Sequence, residues 1–416
     1  MAEANNLLDI AKKNLDSIAQ LLESDYSDKK RIHKIFNVIK RPQNILKKKL
    51  ILKLVNGKKK VFQSFRVQHN DSNGPFFGGT RYSSDLSEEQ IKALAIQESI
   101  KSSVAGLPFG GSFGGVIVNP KSSNKKDLER LTKLYSQFLC NHIGTWRDVL
   151  TTEVGTNFET MNWMMEAYEK KKKFHSPATF NGNNFNLDGA VYFLNKYLKS
   201  SNTLPIFRKI DVAIHGFGNR SFTFAKNLNG QNFRIVAISD KSGGLVNSNG
   251  FDINELKKLK DKFSTLKEVS VMQKIEYIDN KTILELPVDI LVISSKDKIV
   301  TKDIAEIISS RLVLELSNFG ITNDGFEVLS RKKIDVLPDI LLNAGFSIIS
   351  HIEWVQKMHG YRWSKEEVSK RLQTGILKMF AEVEKVVIER KINYKDAGYY
   401  LGLKGIIEMM ISRGRV

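Results

Sequence analysis

One stretch limits the fold more than any other. The apolar run Asp211-Val212-Ala213-Ile214 enters His215-Gly216-Phe217-Gly218-Asn219-Arg220-Ser221, and a helical stretch, Phe222 to Leu228, follows. The first glycine permits a tight turn after a buried strand. The second lets backbone approach a pyrophosphate at a helix N-terminus. Ser221 stands where a third glycine is usual, and a small side chain still lets helix and strand pack, with less margin. Next comes Arg234-Ile235-Val236-Ala237-Ile238-Ser239-Asp240, so Asp240 lies 24 residues after Gly216. An acid ending the second strand can accept hydrogen bonds from an adenosine ribose, which favours NAD over NADP. Strand, glycine turn, helix and acid together predict a Rossmann-type fold.

The periodicity around this stretch agrees with an α/β chain. Phe233 to Ser239, Val288 to Ser294 and Leu312 to Leu316 read as buried parallel strands alternating with helices up to about Pro338. The tail from Gly345 is mostly helical, clearest from Glu366 to Lys385. Upstream, Phe180 to Leu187 reads as a linker. Leu7, Leu8, Ala11, Leu15, Ile18 and Leu22 recur at helical spacing. Ser87 caps a predicted helix that reaches Ser103, with Glu88 and Glu89 in its first turn. Glycine clusters flank that helix: Gly74, Gly78 and Gly79 before it, then Gly106, Gly110, Gly111, Gly114 and Gly115. Such doublets mean backbone brought close to another strand or to a ligand.

Charge first suggests a nucleic-acid partner. The formal net charge is +19, from 64 Lys+Arg against 45 Asp+Glu in 416 residues. Between Lys29 and Arg66, however, there are 14 Lys/Arg and no acid, which leaves the rest at only +5. Within that segment two apolar strands flank Asn56-Gly57, a dipeptide suited to a tight hairpin turn, so 45–66 is predicted to be a basic hairpin. A solvated edge protected by charge is favoured there over polyanion contact, because no aromatic interleaving accompanies the lysines. Cys140 is the single cysteine, which excludes a disulfide framework and points to a reducing compartment, the cytoplasm. The seven histidines do not cluster at metal-ligand spacing, so no metal site is expected. No apolar run is long enough to span a membrane, and the first residues lack a signal-type apolar block.

From about Pro42 to Gly414 the sequence resembles the glutamate/leucine/phenylalanine/valine dehydrogenase family, closest to glutamate dehydrogenase. The likeness rests on Phe65-Arg66-Val67-Gln68-His69-Asn70-Asp71, Gly78-Gly79-Thr80-Arg81 and Leu107-Pro108-Phe109-Gly110-Gly111 with Gly114-Gly115-Val116-Ile117. It continues in Gly216-Phe217-Gly218-Asn219, Leu337-Pro338-Asp339, Asn343-Ala344-Gly345 and Ile352-Glu353-Trp354-Val355-Gln356. The resemblance implies an α/β substrate and oligomerisation domain over 1–185 and a Rossmann dinucleotide-binding domain over 186–345. Helices over 346–416 would return to the first domain. It also implies homo- or hetero-oligomers, hexamers in the glutamate branch, and NAD- or NADP-dependent deamination of an L-amino acid to a 2-oxo acid.

That chemistry needs a cation for the α-carboxylate, a lysine to activate water, and an acid to move protons on the amine. By resemblance Lys101 is the carboxylate lysine, Phe77 and Gly78 border the substrate, and Ser350 lines its side-chain pocket. Gly216, Gly218, Asn219, Asp240, Asn318 and Asn343 take the cofactor positions. Phe77 stands where glutamate enzymes carry a lysine, which suggests an apolar substrate. More seriously, Phe113 stands at the catalytic lysine, and phenylalanine has no proton to give or take. Glu153 replaces the family's aspartate and is one methylene longer. The family's loop with a nicotinamide-contacting threonine is shortened to Phe180-Asn181-Gly182-Asn183-Asn184-Phe185-Asn186. The expected protein is a catalytically impaired paralogue with a structural or regulatory role. The alternative is an active dehydrogenase with altered substrate.

Overall fold

The computed structural model describes residues 6–181, 187–201, 203–204, 208–228 and 231–415. Most of the shortened loop expected at Phe180 to Asn186 lies outside them. The chain divides into two compact units. One comprises Met1–Asn184, Ser347–Leu372 and Tyr399–Val416, the other Phe185–Phe346 and Gln373–Gly398. Of the C-terminal residues, Ser347–Leu372 and Tyr399–Val416 fall in the first unit and Gln373–Gly398 in the second.

Six strands build the first unit's sheet: β1 Asn44–Lys53, β2 Lys59–Asn70, β3 Phe76–Ser83, β4 Gly111–Ile117, β5 Asp148–Thr152 and β6 Phe180–Asn181, in the order β1-β2-β4-β3-β5-β6. β1, β2 and β4 are antiparallel neighbours, whereas β4, β3, β5 and β6 run parallel. The predicted hairpin is present: Gly57 adopts φ 81° at the turn, and Ile51 pairs with Val61. Both are exposed, beside Lys49 and Lys53 on the edge strand β1 and Lys59 on β2, a charged margin that discourages casual strand pairing.

Strand alternation gives β4 two faces. Gly111 faces helix Glu88–Val104, where a Cβ would stand 2.2 Å from the Ser99 nitrogen. Phe113, two residues on, shares that face. Gly114 faces helix Lys125–Leu139, where a Cβ would stand 2.6 Å from the Tyr135 hydroxyl. Val116 shares that second face and joins a core with Leu50, Phe62, Tyr82, Leu131 and Tyr135. Helix Glu88–Val104 starts where the sequence predicts, with the Ser87 side chain accepting from the Gln90 nitrogen, a cap worth about 1 kcal/mol.

The second unit carries seven strands: β7 Ile210–His215, β8 Phe233–Asp240, β9 Gly243–Val246, β10 Glu276–Ile278, β11 Ile290–Ile293, β12 Leu312–Glu315 and β13 Asp335–Leu337. Their order is β10-β9-β8-β7-β11-β12-β13, parallel from β8 to β13. β9 and β10 extend the sheet antiparallel and were not anticipated. Chain order reverses across β7, between β8 and β11, so a crevice opens at the carboxyl ends of these strands. The glycine turn leaves β7 at that point. Among the described residues no helix is long and apolar enough to cross a membrane.

Candidate active site

Phe113 and Glu153 meet in one cluster around Arg81. Phe113 is only 1% exposed. The Arg81 guanidinium carbon lies 5.5 Å from the centre of its ring, within cation–π range. The same guanidinium grips Glu153 with both arms: Nε donates to Oε2 at 2.6 Å and a terminal nitrogen donates to Oε1 at 2.9 Å. Gly79 packs between them, where a Cβ would stand 2.7 Å from the Phe113 ring and 2.9 Å from Glu153 Cγ. A bidentate fork of this kind is a strong, charge-assisted contact. Glu153 therefore spends its carboxylate on Arg81 and on its own turn, where the Val154 nitrogen also donates to it. A group so engaged is poorly placed to shuttle protons.

Beneath this cluster Arg66 is fully buried against Asp148. Its Nε donates to Oδ2 at 2.9 Å and a terminal nitrogen to Oδ1 at 2.5 Å. The remaining guanidinium hydrogens reach the Gly79 carbonyl at 2.9 Å and Ser112 Oγ at 2.6 Å. Gln68 and Ser112 also donate to Asp148. This network joins β2, β3, β4 and β5 under Phe113.

Lys101 is buried rather than placed on the surface as a helix-end charge, and its Nζ lies 2.7 Å from Glu98 Oε1. Phe77 is likewise buried and stacks on Phe109, with centroids 4.7 Å apart and planes at 9°. His351 and Trp354 meet Phe109 edge-on. Ser350, buried, precedes His351 in helix Ala344–His359. Gly78 lies against Ser112, where a Cβ would stand 1.6 Å from the carbonyl oxygen, so no side chain fits. Sequence reasoning assigned no role to Arg81, Glu98 or Phe109. The (i, i+3) spacing of Glu98 and Lys101 was a usable signal for one of them; the pairing of Arg81 with Glu153 spans 72 residues and left none.

In the second unit Gly216 adopts φ 106° and sits against Ser295, where a Cβ would be 2.7 Å away. Gly218 faces open space, with nothing within 4 Å of a Cβ. Its nitrogen donates to Ser221 Oγ at 2.9 Å, so the serine at the third glycine's place braces the turn. Asn219 begins helix Asn219–Leu228. Asn343 Nδ2 donates to the Leu316 carbonyl at 3.1 Å, an oxygen that Arg220 shares. Among the described residues, buried oxygens of Ser239, Ser294 and Asn318 find no protein partner. Asp240 ends β8 as predicted, but its carboxylate is engaged: Ser242 donates to Oδ1 and Lys260 Nζ lies 3.1 Å from Oδ2. Burial alone would raise the Asp240 carboxyl, yet the bonds from Ser242 and Lys260 outweigh it and hold it below the usual carboxylate range. Lys260 also donates to the Phe217 carbonyl at 2.6 Å, tying the glycine turn to the acid. Nothing in the spacing had marked Lys260.

Two histidines give the fold a pH signature. Burial pulls His69 down to about 4, although its ring donates to the Ile39 carbonyl, and burial pulls His215, beside Ser295, to about 4 as well. Each has a folded value below the unfolded value near 6.5. The stability these two rings contribute is therefore complete above about pH 6.5 and falls as pH drops toward 4, by about 3 kcal/mol for each ring. Urea midpoints at neutral and acid pH are expected to show this loss, and His69→Gln is expected to shrink it for the first unit. An unchanged pH dependence in that variant would refute the assignment. Among the described residues no cluster of three metal-ligating side chains occurs.

Comparison with known proteins bears on the fold and the family. Residues 42–170 match the Glu/Leu/Phe/Val dehydrogenase dimerisation domain, and residues 188–414 match the Glutamate/Leucine/Phenylalanine/Valine dehydrogenase domain. The chain is 31% identical over 421 residues to the cryptic catabolic NAD-specific glutamate dehydrogenase GudB of Bacillus subtilis, covering 98% of this chain and 96% of that one. It is 33% identical over 403 residues to an NAD-specific glutamate dehydrogenase of Staphylococcus aureus, covering 93% and 96%. Among solved structures, a hetero-hexameric glutamate dehydrogenase from Thermus thermophilus superposes with TM-score 0.90 at 24% identity, covering 100% of this chain and 98% of that one. Glutamate dehydrogenase from Peptoniphilus asaccharolyticus superposes with TM-score 0.80 at 26% identity, covering 99% and 100%. The chain belongs to the glutamate/leucine/phenylalanine/valine dehydrogenase family.

Proposed function

We propose that this glutamate dehydrogenase-like protein of amino-acid metabolism is catalytically impaired, and that it acts as a structural or regulatory paralogue of an active relative. One observation carries the reading: Phe113 fills the place of the family's lysine while Arg81, stacked on its ring, holds Glu153 in a two-armed grip. Proton transfer at the amine needs a lysine and a free acid, and both are gone. Losing one member of such a set commonly costs orders of magnitude in rate.

Binding is a separate matter from chemistry. Lys101 retains a buried charge for an α-carboxylate, with Phe77, Gly78 and Ser350 beside the side-chain pocket. The open face of Gly218, the Asn219 helix start and the unpartnered oxygens of Ser239, Ser294 and Asn318 fit a nicotinamide dinucleotide. Asn343 would lie near its nicotinamide end and Asp240 at its ribose, where Lys260 must be shared or displaced. When bound, the dinucleotide supplies a hydride acceptor. The NAD-specific relatives favour NAD, and the charge that Lys260 sets beside Asp240 leaves NADP open. The match of 42–170, which includes the basic hairpin, to the family's dimerisation domain supports an oligomer, homomeric or mixed. A single buried cysteine accords with the reducing cytoplasm. The second reading, an active NAD(P)-dependent L-amino-acid dehydrogenase of altered substrate, draws on the retained Lys101 and the apolar Phe77–Phe109 wall.

Titration with NADH and NADPH, beside turnover assays with glutamate and with branched or aromatic amino acids, separates the two. Cofactor binding without turnover is expected. Robust turnover with any of these substrates would overturn impairment. Because Gly218 has room for a side chain, Gly218→Val is expected to weaken cofactor binding about tenfold or more while leaving the melting temperature unchanged. Unaltered binding in that variant would remove the dinucleotide from the glycine turn.

A further inference from the structure

Helix Glu88–Val104 buries a charged pair that the fold leaves half satisfied. Lys101 Nζ donates to Glu98 Oε1 at 2.7 Å, with side chains 4% and 9% exposed. Among the described residues that is the one hydrogen bond to either charged group. An ammonium has three donors and a carboxylate has two oxygens. Two N–H groups and Glu98 Oε2 thus remain without a protein partner and free to meet a ligand. Arg66 lies within the field of Glu98, but it is already committed to Asp148.

The unused positions match the two ends of an α-amino acid: a carboxylate for Lys101, an ammonium for Glu98. Gly78 brings β3 against the pair, since a Cβ there would stand 3.3 Å from Glu98 Cγ. Phe77, next to it, stacks on Phe109 with no exposed surface on either ring, so this end of the site is apolar and closely packed. We infer that Glu98 recognises the α-ammonium, so that this site is a receptor for the zwitterion of an apolar L-amino acid and discriminates against the corresponding 2-oxo acid. The charges decide it. A zwitterion adds one of each sign to a pair that already balances. A 2-oxo acid satisfies Lys101 but turns its carbonyl oxygen toward a carboxylate, with like charge at close range. A dehydrogenase must hold both members of its redox couple; a site that demands the ammonium holds one. The inference rests on the reading of Lys101 as the α-carboxylate group.

Calorimetric titration of the full chain, without nucleotide, tests it with three probes: L-leucine, 4-methyl-2-oxopentanoate and 4-methylpentanoate. Leucine is expected to bind, and the two probes without an ammonium about tenfold or more weaker. Glu98→Gln is expected to lower leucine affinity by a similar factor and to improve that of the oxo acid, while Lys101→Gln loses both. Thermal melting without ligand checks that the variants fold, and the preference of the unaltered chain among the three probes needs no variant. If leucine and the oxo acid bind the unaltered chain equally, or the preference survives Glu98→Gln, the ammonium assignment is wrong while the amino-acid site stands. If none of the three binds, the site reading fails with it.

Discussion

Phe113→Lys combined with Glu153→Asp is expected to raise amino-acid oxidation by about 10²- to 10⁴-fold over the unaltered chain, the usual contribution of a positioned acid–base group. Neither change alone is expected to suffice. A lysine at 113 would meet Arg81, whose guanidinium now rests 5.5 Å from the ring centre, and two cations at that range oppose each other. With Glu153 still gripped by both arms of Arg81, no free acid would serve the amine. Shortening the acid by one methylene loosens the fork and gives the new lysine a carboxylate to pair with. The gain should therefore be strongly non-additive, as for residues that act as a unit. Reduction of NAD or NADP by the two single variants and the double variant, each with confirmed cofactor binding, measures it. A double variant that folds and binds cofactor yet stays silent would move the defect away from these two positions.

The parts of this protein legible in its sequence are those written locally. The strand–glycine–helix stretch around Gly216 needs only neighbours in the chain, and β7 with helix Asn219–Leu228 stands where the spacing predicts. The hairpin turn at Asn56-Gly57 and the Ser87 cap are local in the same sense. β9 and β10 were invisible because four and three residues, one strand opening on Gly243-Gly244, carry too little alternation to register. Their pairing depends on β8 being there to receive them.

Site chemistry is harder to read for a similar reason. The substitutions at 113 and 153 can be seen one by one, but the arginine that makes them a single device is distant from both in the chain. Phe77 and Phe109 become one apolar wall only when β3 and the turn before β4 are brought together. Lys260 reaches Asp240 from a helix, Ile253–Phe263, that carries no motif. In each case the side chain's identity was plain and its partner was not, because the partner is chosen by the sheet.

Asp148→Asn is expected to destabilise the first unit by about 3–5 kcal/mol, because it strands a fully buried guanidinium without its counter-charge. That is a large share of the total stability of about 5–15 kcal/mol typical of a domain. Arg66 is fully enclosed, and Asp148 accepts from Gln68 and Ser112 as well, so loss of one formal charge leaves several donors facing a weakened acceptor. Removing the pair together is a different experiment. Arg66→Met with Asp148→Leu exchanges two buried charges for apolar volume, and it is expected to recover much of the loss in urea midpoint. If the double variant is as unstable as Asp148→Asn, the network's bonds to Gly79 and Ser112 matter more than charge balance. Both outcomes bear on the site, since those two bonds tie Arg66 to the residue before Phe113 and to the Gly79 backbone packed against its ring. The network lies wholly within the first unit, so dinucleotide binding by the second is expected to persist in Asp148→Asn, and its loss would mean that the pair does more than hold β2 to β5 together.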